Sequence, residues 1–483
     1  MKKWTNTKPA FVLLLLTFCS TALFALGKLQ EKEFKVGLAT SNITPRIGMS
    51  INGGFQDGMV RNIHDETHAK ALVMNDGNET LAIVVVDLCM IYRKEIDEAK
   101  RRANEHTQIP IANIMVSATH THSSGTACSV FQSDPEEGYL TFLSERIGDA
   151  IIRANANLVS AKIGWNSGQE PNQVFNRRWR MKPGTPMINP FGGQDQVKMN
   201  PGVGHPDLLE AAGPTDPEVW VLSFQTLDGK PLGVFSNYSL HYVGGVDKGD
   251  VSADYFGIYG RRVQELLIED GQTPDHNFLA VMSNGTSGDI NNVNWAGKEK
   301  SRVFSLYEKM YEVANDLAKE TVNVLKKTKY HSWVSLKSAV KELQLNVRLP
   351  DQAEIKRANE IIAKAKDSVM KTSEEVYARE TVLLNDYPKQ VNVLLQCFKI
   401  GDLAINAIPA EVFVEIGLHL KKKSPFASTF TVSLANGYNG YLPTPEQHKL
   451  GGYETWRARS SYLEENASTR ITSSLLELQN KLK

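Results

Sequence analysis

The segment Ile111-Ala-Asn-Ile-Met-Val116, followed by Ser117-Ala-Thr-His120-Thr-His122-Ser-Ser-Gly125, restricts the fold more than any other part of the chain. An apolar run this short, closed by small residues and a glycine, reads as a buried strand that ends in a loop. Side chains alternate along an extended backbone, so the imidazoles of His120 and His122 are expected on the same side. One ring can then bind a metal while the other reaches whatever the metal holds. A hydrogen-bonded histidine pair at a strand end is the plainer alternative. The arrangement recurs twice. Leu240-His241-Tyr242 ends a second apolar run just before Gly244-Gly245, and Ile408-Pro409-Ala410 leads a third strand to Glu411, at an expected helix N-terminus.

The rest of the pattern is consistent with a mixed α/β or α+β architecture. Strands are expected at 34–44, 219–226, 231–240, 278–282 and 429–434. Hairpins are expected around Asn75-Asp76-Gly77 and around Gly401-Asp402. Helices are expected at 94–105, 137–157, 254–267, 305–326 and 351–378, from Glu411, and from Ser468; the one at 351–378 is strongly charged. Residues 170–214 are rich in Gly, Pro and Asn, and read as a long irregular segment. Neither a linker nor a repeat period divides the chain. The expectation is therefore one large catalytic domain over 28–483, with mixed β-sheets flanked by helices.

Residues 1–27 are set apart. Met1-Lys2-Lys3 and Lys8 precede an apolar stretch from Ala10 to Leu26 that ends in small residues, the pattern of a signal peptide. The protein is expected to be exported, to the periplasm or the extracellular space; an uncleaved anchor is the alternative. With 54 basic and 54 acidic residues among 483, nothing favours a nucleic-acid partner. A hydrophobic share of 41% suits a soluble globular chain. Beyond the leader, Cys89, Cys128 and Cys397 are widely spaced and form no metal or disulfide framework. A metal here would use nitrogen and oxygen ligands.

Two histidines and one carboxylate make a recognised zinc set with a position left for water, suited to metal-assisted hydrolysis. Asp87, after Val84-Val85-Val86, either orients a ligand imidazole or caps a loop. Arg177, in Phe175-Asn176-Arg177-Arg178, is a candidate clamp for a substrate oxygen.

Taken together, these residues resemble the neutral/alkaline ceramidase family of secreted zinc amidohydrolases. The matching pieces run in family order: Ile43-Thr44-Pro45, Thr119-His-Thr-His122-Ser123, Asn176-Arg177, His241 with Ser252-Ala-Asp254, Gly288-Asp289, and Pro409-Ala-Glu411. Asn436-Gly-Tyr438-Asn-Gly-Tyr441 and Gly452-Tyr453-Glu454 complete the set. The resemblance implies zinc held by His120, His241, Glu411 and Tyr441, with His122, Arg177 and Tyr453 around the substrate carbonyl. It also implies Asp254 and Asp289 as supports behind the site. Asn291 stands where the family has a serine, and an amide is no nucleophile, so attack by metal-activated water is the expected course, with Asn291 in a catalytic role as hydrogen-bond donor in the serine's place. Family members carry a further C-terminal immunoglobulin-like domain; here a short helix follows Tyr453, and no such domain is expected.

The implied activity is hydrolysis of an N-acyl amide of the ceramide type. The partners are a small-molecule or lipid substrate, with peripheral membrane contact to reach it. Two alternatives stand beside it. One is a zinc hydrolase for an ester or amide of a carbohydrate or other polar molecule, with Asn291, Asn292, Trp179, Arg180 and Trp295 lining an open cleft. The other is a metal-stabilised binding protein without catalysis.

Overall fold

The computed structural model describes residues 1–4, 32–297 and 302–483; apart from its first four residues, the expected leader lies outside the described residues. Residues Glu33–Lys483 form one unit, built on three sheets that repeat one topological plan. In the first, β1 (Lys35–Asn42) pairs antiparallel with β2 (His68–Asn75), which turns back as β3 (Thr80–Val86). Helix α1 (Arg93–Thr107) then crosses to β4 (Ile114–Ala118), parallel to β3. Helix α2 (Glu137–Ala156) packs on the same sheet.

The second sheet has antiparallel β5 (Lys162–Gln169), β6 (Glu218–Gln225) and β7 (Pro231–Tyr238). Helix α3 (Asp254–Glu269) leads to β8 (Leu279–Asn284), parallel to β7, and α4 (Glu308–Leu325) packs beside α3. The third sheet has β9 (Leu336–Asn346), β10 (Gln390–Ile400) and β11 (Leu403–Ala407), all antiparallel. Between β9 and β10 lie α5 (Gln352–Lys364) and α6 (Ser373–Leu384). Helix α7 (Val414–Lys423) then crosses to β12 (Ser428–Val432), parallel to β11. The chain closes with α8 (Pro445–Leu450) and α9 (Ala467–Leu482). Among the described residues, no helix is long and apolar enough to cross a membrane.

Inner faces of the three sheets share one core, to which Ile83 and Met115, Leu222 and Val281, and Phe398 and Ile405 contribute. Their outer faces are covered by helices, as Ala82, Val84 and Val86 are on β3. The central strands β3, β4, β7 and β11 are therefore buried on both sides, which is why these segments read as unbroken apolar runs. The repeat is topological and leaves no period in the sequence, because only burial on each face is required of the residues.

Several expectations change. Residues Ile111–Asn113 form a 3-10 turn, so the strand starts at Ile114. The segment 170–214 contains the short strands Phe175–Asn176, Arg178–Met181, Val197–Met199 and Leu208–Ala211. The single helix expected at 351–378 is two, because Thr372 and Glu375 form a capping box that starts a second one. Glu411 belongs to a two-residue strand, and its helix begins at Val414. Strand β9 escapes a hydrophobicity reading because most of its residues are partly or fully exposed.

Gly37 of β1 sets how closely α2 approaches the first sheet: a Cβ there would stand 2.0 Å from the Ala154 carbonyl oxygen. Gly37→Ala should therefore destabilise the protein by about 1–3 kcal/mol through overpacking, read from the urea midpoint; an unchanged midpoint would refute this packing account.

Candidate metal centre and its surroundings

All three sheets deliver the carboxyl ends of their parallel strand pairs to one place, a common location for sites in sheets of this kind. β4 leads to His120, β7 to His241 and β11 to Glu411. Backbone bonds between sheets fasten these ends: Ala118 N–H to the Leu434 carbonyl at 3.1 Å, Asn436 N–H to Val116 at 2.7 Å, and Ser433 N–H to Asn284 at 3.0 Å. His120, Leu434 and Asn436 have φ of 74°, 52° and 65°, so three non-glycine residues adopt the left-handed region here. His120 is thus not on extended backbone. It turns out of the strand, with its N–H bonded to the Leu88 carbonyl at 2.9 Å.

The two ligand imidazoles are oriented by backbone oxygens. His120 Nδ1 lies 2.7 Å from the Cys89 carbonyl and His241 Nδ1 lies 3.1 Å from that of Ser287. Each Nδ1 donates its proton, which leaves each Nε2 as a lone-pair site. These two Nε2 atoms face one another at 3.1 Å, and His120 Nε2 lies 3.2 Å from Glu411 Oε2. Glu411 Oε2 is buried without a hydrogen-bond partner. Three groups able to donate an electron pair, all on residues at most 4% exposed, thus converge on one point. Their ligand atoms all lie within 4.8 Å of one another. Such a set repels itself unless something positive sits inside, and the donors fit a divalent cation. A second group, Cys89, His120 and His122, also meets that distance. It is the poorer site, because it would use the His120 Nδ1 that the Cys89 carbonyl already holds.

The electrostatics agree. Burial opposes a charge on His120, but Cys89 and Glu411 outweigh it and raise its pKa well above the ordinary value. His122 and His241 are pushed well below theirs, by burial first and then by neighbouring positive groups. The cluster thus accommodates one positive charge at its centre, a proton on His120 or a cation in its place.

His122 Nε2 lies 3.3 Å from His120 Nε2, and its ring stacks on Tyr242 at 3.6 Å. Glu411 and Tyr441 face each other in a short parallel pairing. The Tyr441 hydroxyl accepts from Arg177 Nη2 at 3.1 Å. Tyr453 stands with its ring 5.7 Å from that of Tyr441, and burial raises its pKa. Arg177 is 5% exposed and donates to Glu454 at 2.9 Å and to the Gly288 carbonyl at 2.8 Å.

Asp254 bonds the N–H groups of Val243, Gly244 and Tyr255, which holds the loop after His241. Asp289 accepts from Asn176 and from the Val414 N–H, and its carbonyl receives the Arg177 N–H. Asp87 does not orient a ligand imidazole: it pairs with Lys70 at 2.7 Å and accepts the His68 N–H, both on strand β2, and the Cys89 carbonyl orients His120. Asn291 bonds Asn200 at 3.0 Å and the Val293 N–H at 3.1 Å rather than any residue of the histidine cluster.

Sequence reasoning passed over two groups. Tyr438 donates to Glu411 Oε1 at 3.0 Å, and Glu454 bridges Arg177 and Arg178 (2.6 Å to the latter) with no exposure of its own. Both sit inside the tyrosine motifs, which was the only available signal.

Comparisons with known proteins bear on the family and the fold. The family model described as neutral/alkaline non-lysosomal ceramidase, N-terminal, matches residues 34–305. A neutral ceramidase of Pseudomonas aeruginosa is 24% identical over 248 residues, which are 49% of this chain and only 34% of that relative's length. The crystal structure of neutral ceramidase from Pseudomonas aeruginosa is similar with a TM-score of 0.70 at 18% identity, covering 94% of this chain and 75% of that one. A solved ceramidase complexed with C2 is similar with a TM-score of 0.71 at 16% identity, with the same coverage. At these identities the two structures bear on the fold.

Two measurements probe the supports. Glu454→Gln leaves two buried arginines without their shared carboxylate and should cost about 3–5 kcal/mol in urea unfolding; a loss below 1 kcal/mol would refute the bridging role. Burial, partly offset by three backbone N–H groups, pushes the Asp254 pKa up to about 6. The folded state therefore holds a proton that the unfolded chain has already released. This stabilising contribution is complete below about pH 4, is lost as pH rises through 6, and amounts to at most about 3 kcal/mol. From pH 4 to pH 8 the wild type should lose more stability than Asp254→Asn; parallel curves would contradict the assignment.

Proposed function

The chain belongs to the neutral/alkaline non-lysosomal ceramidase family, and from that premise we propose that it is a zinc-dependent hydrolase of an N-acyl amide bond of the ceramide type. The observation that carries the reading is the buried meeting of His120 Nε2, His241 Nε2 and Glu411 Oε2, the last without a hydrogen-bond partner. Those three residues would hold the ion, with Tyr441 beside Glu411 as a fourth candidate. Zinc in such a set polarises a carbonyl oxygen and makes water acidic enough to act at neutral pH.

The protein's own groups account for the remainder. Arg177 cannot swing away, since Glu454 and the Gly288 carbonyl hold it, so its Nη2 stays directed at the Tyr441 hydroxyl. That fixed positive group, with the hydroxyl of Tyr453, suits an oxygen that gains negative charge as the amide carbonyl is attacked. His122 reaches the cluster through Nε2 and is the group placed to take a proton from the attacking water. Asn291 offers no nucleophile and is engaged by Asn200 and Val293, which favours attack by water over a covalent acyl intermediate. The leader-like residues 1–27 support export, and a ceramide substrate would bring the protein to a membrane surface.

Wild-type protein should bind one zinc per chain and release fatty acid from ceramide. His120→Ala and His241→Ala should each lose the metal in elemental analysis, and Arg177→Ala should keep it while kcat falls by roughly 10²–10³. Full metal occupancy in both histidine variants would overturn the site. Turnover of N-acetyl sugars or simple esters, with none of ceramide, would overturn the substrate.

A further inference from the structure

We propose that Asn52 and Tyr377 form a recognition subsite beside the histidine cluster that reads a hydroxyl-bearing part of the substrate. The inference rests on the hydrolase reading above and adds which chemistry on the substrate is sensed. Asn52 is 2% exposed, and neither its Oδ1 nor its Nδ2 has a hydrogen-bond partner. Among the described residues it is the one buried side-chain amide with both atoms in that condition. Folded proteins leave few such groups, because each forfeits its hydration without compensation.

Its position is informative. The next residue, Gly53, lies so close to His122 that a Cβ there would come within 2.6 Å of the imidazole. The same loop carries Phe55, whose ring is 6.0 Å from Tyr453 and 6.0 Å from Tyr377. Tyr377, on α6, is 1% exposed, and its hydroxyl also lacks a partner. Gln132 ties this helical region to the loop, donating to the carbonyls of Phe55 and Met370 and accepting the Met370 N–H.

An amide side chain offers an acceptor and two donors, and a phenol offers a donor. A hydroxyl both donates and accepts, so hydroxyls on a bound substrate can satisfy all three idle atoms. A hydrocarbon in their place leaves them buried and unpaired, and sites of that kind discriminate strongly against analogues lacking the group.

The test compares wild type, Asn52→Leu and Tyr377→Phe, each loaded with zinc, on an N-acyl 2-amino-1,3-diol and on the N-acyl alkylamine without the hydroxyls. Wild type should prefer the diol by roughly 30-fold or more in kcat/KM, and each variant should lose about tenfold of that ratio. The Tm of each variant should be unchanged or raised, since an orphaned polar group has been removed. An unchanged ratio in both variants would overturn the proposal. So would a lowered Tm with both substrates slowed alike, the signature of side chains that only hold ordered water. If wild type cleaves neither amide, the hydrolase reading fails by itself, and the subsite is judged by binding. The diol amide should then raise the Tm of wild type more than that of either variant, and equal shifts would dismiss it.

Discussion

Two imidazole lone pairs 3.1 Å apart, with a carboxylate oxygen 3.2 Å from one of them, cannot persist in a dry interior without a positive charge between them. Much of the surrounding structure answers that constraint. Backbone carbonyls of Cys89 and Ser287 hold the rings in the tautomer that points their lone pairs inward. Tyr438 satisfies one oxygen of Glu411 and leaves the other for the centre. His241 and His122 are kept neutral by burial, so only one member of the group competes for a proton.

Three sheets are needed because the ligands are far apart in the chain. Each sheet provides a hairpin, a crossing helix and a parallel strand, and each sends one strand end to the shared location. A common inner core fixes the sheets against one another, so the strand ends arrive with little freedom. The left-handed backbone of His120, Leu434 and Asn436 falls where the sheets are stitched together. Strain of this kind persists only where the surroundings hold it in place.

Around the centre, charge is balanced locally. Arg177 and Arg178 share the fully buried Glu454, which lets a fixed positive group stand beside the ligands without a free counter-charge. Asp289 joins the short strand before Arg177 to the start of α7, and Asp254 does the same service for the loop after His241. These contacts convert the precision of the core into precision at the site.

Much of this was legible in the chain itself. Short apolar runs ending in His120, His241 and Glu411 marked strand ends that carry chemistry, and the hairpins at Asn75-Asp76-Gly77 and Gly401-Asp402 announced mixed sheets. These signals are local, since period, turn residues and side-chain chemistry are read within a few positions. The rest depended on distance through space. That Asp87 would choose Lys70, that Glu454 would bridge two arginines, and that β9 would be a strand at all were settled by partners remote in sequence. The sequence by itself determined which residues can donate electron pairs and that they lie at strand ends. Only the tertiary structure decided that three such ends meet, because long-range packing of the sheets on their shared core leaves no trace in any one segment.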